Sequence, residues 1–234
     1  MKKSTHLILH LIVLSFFGYL LWSSVVLKFK NDFNFVIPSN YASFGIDVSH
    51  HQGKIDWEAL LQEDIQPQIQ FIYAKATEGR DHLDSQWEYN RQKLIKLKAK
   101  HGAYHFFRPK TDSREQAIFF LKHYNPLPTD LAPVLDVELE GSSDEQLIKD
   151  VYTFLKTVEQ ETGKRPIIYT SYHFYQTKFK NEFQDYKFWI AAYSLPFILP
   201  KDKRILYWQF TDQAQLPHHE GIKIDLNVGR VQFN

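Results

Sequence analysis

Apolar, β-branched and aromatic residues recur along this chain in short runs separated by amphipathic stretches. The runs fall at 44–48, 69–74, 102–107, 132–137, 166–170, 188–193, 205–210 and 224–228. Most are continuous rather than alternating, the pattern of strands covered on both faces. Helical spacing occupies 56–63, 84–100, 112–124, 143–162 and 172–183. Asp84 and Asp112 are candidate caps, Ser143-Asp144-Glu145-Gln146 is capping-box-like, and Gly163 is a stop signal. Beyond Trp189 the connections are too irregular for clear helices. Eight strands with about five helices predict an α/β fold, a modified TIM-like (β/α) barrel whose last third has lost its helices. An open doubly wound sheet is the rival, but the chain offers neither G-x-G-x-x-G nor a P-loop.

The N-terminus follows a different pattern. Met1-Lys2-Lys3 leads into an almost wholly apolar stretch from Leu7 to Leu27. As a helix it would span about 31 Å, matching a bilayer core. It has no A-x-A-like exit, so an N-terminal transmembrane helix, an uncleaved signal-anchor, is expected within 1–33. Residues 34–43, with Pro38, Ser39 and Asn40, read as a tether, and 44–234 as one catalytic domain. Lys28 and Lys30 flank the far end, but large domains translocate largely regardless of charge. The expected placement is membrane-anchored with the barrel exported, periplasmic or at the cell surface; cleavage of the segment would make the protein secreted.

Composition narrows the chemistry. The 234 residues carry 28 basic and 27 acidic side chains, a net charge of +1, and the part after residue 33 is at −2. No basic face of the kind that binds nucleic acid is implied. The absence of Cys excludes disulfide scaffolds, thiolate nucleophiles and cysteine metal sites. Aromatics reach 16%, enough for a large core and for stacking flat ligands such as sugars. A monomer without cofactor is expected.

Four acids fall at or near strand ends, where barrels of this kind do their chemistry. These are Asp47 in the first strand, Asp136 and Glu138 closing the fourth, and Asp225 in the last. Asp136 and Glu138 are next-but-one, so on a strand they share a face with Cα atoms roughly 6.6 Å apart. Carboxylates forced together repel, and one tends to keep its proton. Glycoside hydrolysis asks for such an arrangement: one acid protonates the leaving oxygen while another group supports positive charge at the anomeric carbon.

The same residues carry a resemblance. Gly45-Ile46-Asp47-Val48-Ser49, Gln52-Gly53 and Ile55-Asp56-Trp57 resemble the opening of glycoside hydrolase family 25 lysozymes, the N-acetylmuramidases. The similarity continues through 71–79, 102–107, Pro133-Val134-Leu135-Asp136-Val137-Glu138, 189–193, Tyr207-Trp208-Gln209-Phe210 and Asp225-Leu226-Asn227. It spans about 44–230. It implies a barrel of eight strands and five helices, and cleavage of the β-1,4 bond from N-acetylmuramic acid to N-acetylglucosamine in peptidoglycan glycan strands. It matches the family's acid to Glu138 and its partner to Asp136, with Asp47 and Asp225 as the remaining site aspartates. The membrane anchor is not typical of the family.

On this reading Glu138 is the general acid, its pKa raised by Asp136 and aromatic surroundings. Asp136 either stabilises oxocarbenium-like charge or orients the substrate's 2-acetamido group. Asp47 and Asp225 hold and polarise the pair. Tyr104, Tyr193, Trp208, Lys75 and Asn227 are the expected substrate-binding residues, with Lys75 a candidate partner for a site acid and Glu78 a structural loop residue. Two other classes compete. A metal-dependent polysaccharide deacetylase would use His50, His51, His105, His218 or His219, but these lack a ligand spacing. A catalytically inactive glycan-binding barrel should have lost one of the acids, and all four are present.

Overall fold

Alternation with a period of two organises the molecule. In β1 (Ser43–Val48), Phe44, Ile46 and Val48 pack outward, while Gly45 and Asp47 face the opposite side. The computed structural model describes residues 15, 18, 31–62, 64–193 and 201–233. Seven further strands complete a closed barrel: β2 (Phe71–Glu78), β4 (His101–Phe106), β5 (Val134–Asp136), β6 (Ile167–Ser171), β7 (Lys187–Ala191), β8 (Ile205–Gln215) and β9 (Lys223–Gly229). The two-residue β3 (His82–Leu83) only extends the edge of β2. Among the described residues five α-helices lie between strands: α1 (Trp57–Leu60), α2 (Trp87–Lys96), α3 (Ser113–His123), α4 (Asp144–Thr162) and α5 (Tyr172–Phe174), which continues as a π turn over Tyr175–Phe179.

The outer layer holds one large apolar cluster, in which Ile72, Ala103, Leu135, Ile168, Phe188 and Phe210 meet helix residues such as Trp87, Phe120 and Phe154. The interior is separate and mostly aromatic: Phe71, Tyr73, Tyr169, Trp189 and Tyr207 with Val134 and Ile167. These rings fit because alternate strands contribute no side chain beside them. A Cβ at Gly102 would lie 2.4 Å from the Tyr73 ring, and one at Gly45 would lie 2.5 Å from the Phe71 carbonyl oxygen. Filled in this way, the barrel is a plugged core with a mouth rather than a pore.

The helix signals at α3 and α4 match the structure. Asp112 accepts from the Glu115 N–H, Ser143 from that of Gln146, and Gly163 ends α4 at φ 66°. At α2 the helix is shorter than the 84–100 pattern. Asp84 lies two residues before the Gln86 cap position: its Oδ1 accepts the Gln86 N–H (2.9 Å), its Oδ2 takes the His50 backbone N–H and the His50 ring, and Lys98 ends the segment at φ 54°.

Two features correct the sequence reading. The barrel is not all parallel: β9 runs antiparallel to both β1 and β8, with Asp47 opposite Asp225. Residues 34–43, expected as a tether, instead lie along the barrel wall together with Phe33. Phe33 is fully buried against Phe44 at 5.2 Å between ring centroids, Phe35 meets Phe210, and Tyr41 meets Trp208. Backbone bonds from Gln215 N to Phe33 O (2.9 Å) and from Ala42 N to Gly229 O (2.8 Å) fasten this strap. Its rings lie against Phe44 of β1 and against Phe210 and Trp208 on the outer face of β8, and no helix follows β7 among the described residues. The expected transmembrane helix falls outside the described residues; among those described, no helix is long and apolar enough to cross a membrane.

Candidate active site

At one end of the barrel the inward-facing positions turn from aromatic to acidic. Asp47, Asp136, Glu138 and Asp225 line one cleft with about 280 Å³ of open volume. Asp225 sits near the start of β9. Only the reversed direction of that strand brings it to the mouth where the parallel strands end.

Asp47 is buried, and one of its oxygens, Oδ2, accepts from Gln209 Nε2 (2.9 Å) and Asn227 Nδ2 (2.7 Å). Asn227 is oriented in turn by the Trp189 indole N–H, which donates to Oδ1 at 2.8 Å. Burial lifts the Asp47 carboxyl to about 6, against the pull of these donors and of a hydrogen bond with Asp225. Asp225 goes further, to about 9, first by burial and then by the Asp47 charge. The pair therefore holds one proton at neutral pH. It resides on Asp225, because Asp47 has the two amide donors.

Asp136 is pushed well above the usual carboxylate range by burial, then by the charges of Glu138 and Asp47. Its Oδ1 is buried without a hydrogen-bond partner among the described residues, which suits a protonated or ligand-facing carboxyl better than a bare charge. Glu138 lies two residues past the end of β5 and is also raised. The main cause is burial, opposed by the Tyr169 hydroxyl and Lys75. The like-charge penalty expected from Asp136 on Glu138 instead falls mainly on Asp136.

Lys75 reaches the cleft but pairs with Glu78, Nζ to Oε2 at 2.6 Å, and lies over the Phe106 ring. Although burial works against it, Glu78 is drawn down to about 2 by Lys75 and Arg108. Glu78 is thus the counterion that keeps Lys75 in place, and Lys75 acts on Asp136 and Glu138 through its field.

Tyr104 and Tyr193 line the cleft; Tyr193 is 47% exposed and donates to Gln209 Oε1 at 2.6 Å. Asn227 is buried beneath the cleft and touches Asp47. Trp208 is not brought to the site. Tyr207 and Gln209 face inward, so the residue between them faces out, where its indole N–H donates to Ala192 O (2.9 Å) behind Tyr41. The sequence reading missed Gln209, Tyr169 and Trp189, all of which line the cleft. A lone Gln inside the apolar run at 205–210 was the available signal, since a buried amide needs partners.

The His50 and His51 rings lie 4.0 Å apart, but the other candidate histidines do not join them. His105 faces outward, hydrogen-bonded to Thr77 and Gln116 and stacked on Phe154. His50 is taken by Asp84, His219 lies against the Pro217 carbonyl, and His51 lines the cleft. Among the described residues no group of three or more His, Cys, Asp or Glu could hold a metal ion.

Comparison with known proteins adds four findings. The model for "Glycosyl hydrolases family 25" matches residues 46–219. The chain is 37% identical over 194 residues to "Uncharacterized protein YegX" of Escherichia coli K12, covering 82% of this chain and 71% of that one. It is 28% identical over 206 residues to "Lysozyme M1" of Streptomyces globisporus, covering 81% and 67%. Among solved structures, a family 25 glycosyl hydrolase from Bacillus anthracis superposes with a TM-score of 0.75 at 27% identity, over 84% of this chain and 92% of that one.

Proposed function

Because the chain belongs to glycosyl hydrolases family 25 and is a glycoside hydrolase of the muramidase type, we propose that it cleaves the β-1,4 bond between N-acetylmuramic acid and N-acetylglucosamine with Glu138 as general acid. The observation that carries this reading is the convergence of Glu138 and Asp136 in one cleft, Glu138 raised by burial and Asp136 pushed well above the usual carboxylate range. Raising a carboxyl favours the protonated form, which can deliver its proton to a leaving oxygen. As the bond from the anomeric carbon breaks, its electron pair goes to that oxygen and positive charge grows on the sugar.

Asp136 then serves the anomeric side, as the charge that supports the oxocarbenium or as the group that orients the 2-acetamido function. Retention of configuration in the first product assigns the second role; inversion assigns a carboxylate-activated water. Asp47 and Asp225 hold their shared proton beneath the pair. Tyr104 and Tyr193 flank the sugar, and Lys75 offsets the negative field. The apolar stretch at 7–27 anchors the barrel to the exported side of the membrane.

The test is mass spectrometry of peptidoglycan fragments released by the purified chain. New reducing ends on N-acetylmuramic acid are expected, and Glu138→Gln should abolish them while circular dichroism stays unchanged. Reducing ends on N-acetylglucosamine, release of acetate alone, or undiminished lysis by Glu138→Gln would overturn the assignment.

A further inference from the structure

The loop after β4 is a pinned turn. Buried Gln116 of α3 accepts the Arg108 backbone N–H on Oε1 (2.9 Å), and its Nε2 donates to the carbonyl oxygens of Arg108 (3.0 Å) and Thr111 (3.1 Å). The Thr111 hydroxyl closes the turn on Arg108 O (2.8 Å). The chain leaving β5 is tied to it, since the Phe107 N–H donates to Asp136 O (2.9 Å). Between the two loops lies a groove of about 300 Å³, close in volume to the cleft, lined by Arg108, Pro109, Lys110, Leu139 and Glu140.

Groove and cleft are neighbours along the chain. Leu139 directly follows Glu138, and Arg108 lies two residues past Phe106, which lines the cleft and carries the Arg108 guanidinium over its ring at 4.9 Å. Most charges at the groove are already matched. Glu140 pairs with Lys178 at 3.1 Å, and Arg108 donates to Glu78 through Nε (2.7 Å) and Nη2. Lys110 is different: it is exposed and has no hydrogen bond or ion pair among the described residues. The groove therefore offers apolar surface from Pro109 and Leu139 beside one uncommitted cation.

Peptidoglycan carries a group of matching chemistry. The peptide on the lactyl group of muramic acid presents alanine methyls and free carboxylates, and it is attached to a sugar that the cleft would hold. An extended chain of three residues reaches about 10 Å, enough to pass from a sugar beside Glu138 to a groove that begins at the next residue. We propose that this groove seats the peptide borne by a muramic acid residue of the bound strand, with a peptide carboxylate facing Lys110. The inference rests on the reading of the chain as a muramidase and names its substrate class: peptide-bearing strands in preference to bare glycan. A pinned turn suits the role, because a backbone already ordered loses little freedom on binding.

The experiment gives the purified full chain three soluble substrates: strands with their peptides, the same strands with the peptide carboxylates converted to amides, and strands stripped of peptide by an amidase. The highest kcat/KM is expected on the first. Lys110→Glu, at an exposed position, should lower the preference for the first over the second about fivefold, the effect of one exposed ion pair, and KM rather than kcat should carry the change. A wild-type chain that cleaves the first two alike, or favours the stripped strands, overturns the inference. So does a preference that Lys110→Glu leaves unchanged. A loss of equal size on all three substrates overturns it as well, because the effect would then not pass through the peptide. Failure of the underlying reading is distinct: new reducing ends on N-acetylmuramic acid would then appear with none of the three.

Discussion

Replacing Asp225 by Asn tests whether the proton assigned to the Asp47–Asp225 pair is present. In the folded chain Asp225 titrates near 9, whereas in the unfolded chain it titrates near 4. Between those values the folded state holds a proton that the unfolded state has released. The folded pKa is the higher one, so this contribution is fully present below pH 4 and is lost as pH rises toward 9. The slope for one proton is about 1.4 kcal/mol per pH unit, which accumulates to a loss of about 4 kcal/mol by pH 7. His105 and His101 work in the opposite sense. Burial lowers both, His105 to about 3, so they favour the fold as pH rises to about 6.5 and contribute nothing further above it. The window from pH 7 to 8.5 lies above the contribution of both. Asn at 225 can donate to Asp47 as the protonated acid does, without carrying a titrating proton. Urea unfolding of both chains at several pH values in this window should give a stability difference that grows by about 1.4 kcal/mol per unit in favour of Asp225→Asn. Parallel lines would mean that the pair holds no extra proton, and the charge assignment of the cleft floor would fall with them.

Three further outcomes are expected. Phe33→Ala opens the strap where a fully buried ring meets Phe44; it should cost about 3 kcal/mol in urea unfolding with kcat unchanged. Trp208→Phe removes an outward-facing donor to Ala192 O; stability should fall by about 1 kcal/mol while kcat and KM stay as they were. Tyr193→Ala strips a half-exposed ring from the cleft edge, and KM for glycan should rise about tenfold, equivalent to about 1.4 kcal/mol of lost binding, with a smaller change in kcat.

Much of the fold and part of the site can be read from residue order. The strands at 44–48 and 102–107 lie within a residue or two of β1 and β4, and the caps at Asp112 and Ser143 are where the helices begin. Burying both faces of a strand leaves a local imprint of continuous apolar residues, and a helix start leaves a local side-chain acceptor. The acids are legible for a related reason, since a carboxylate inside an apolar run is costly and stands out.

Other features have no local imprint. A period of two says that Trp208 and Gln209 face opposite sides, not which of them faces in; the closed barrel chose Gln209. Nor does the pattern carry strand direction, so the reversal of β9 that places Asp225 opposite Asp47 follows only from pairing on both edges. The bonds that polarise the cleft join Asp47 to residues 162 and 180 positions away, a separation at which amide partners leave no mark on neighbouring residues. The order of residues by itself determined which segments become strands and helices and which acids are available. The tertiary structure decided which side chains face the mouth, where the shared protons rest and what covers the wall without helices, because each depends on contacts made only once the barrel closes.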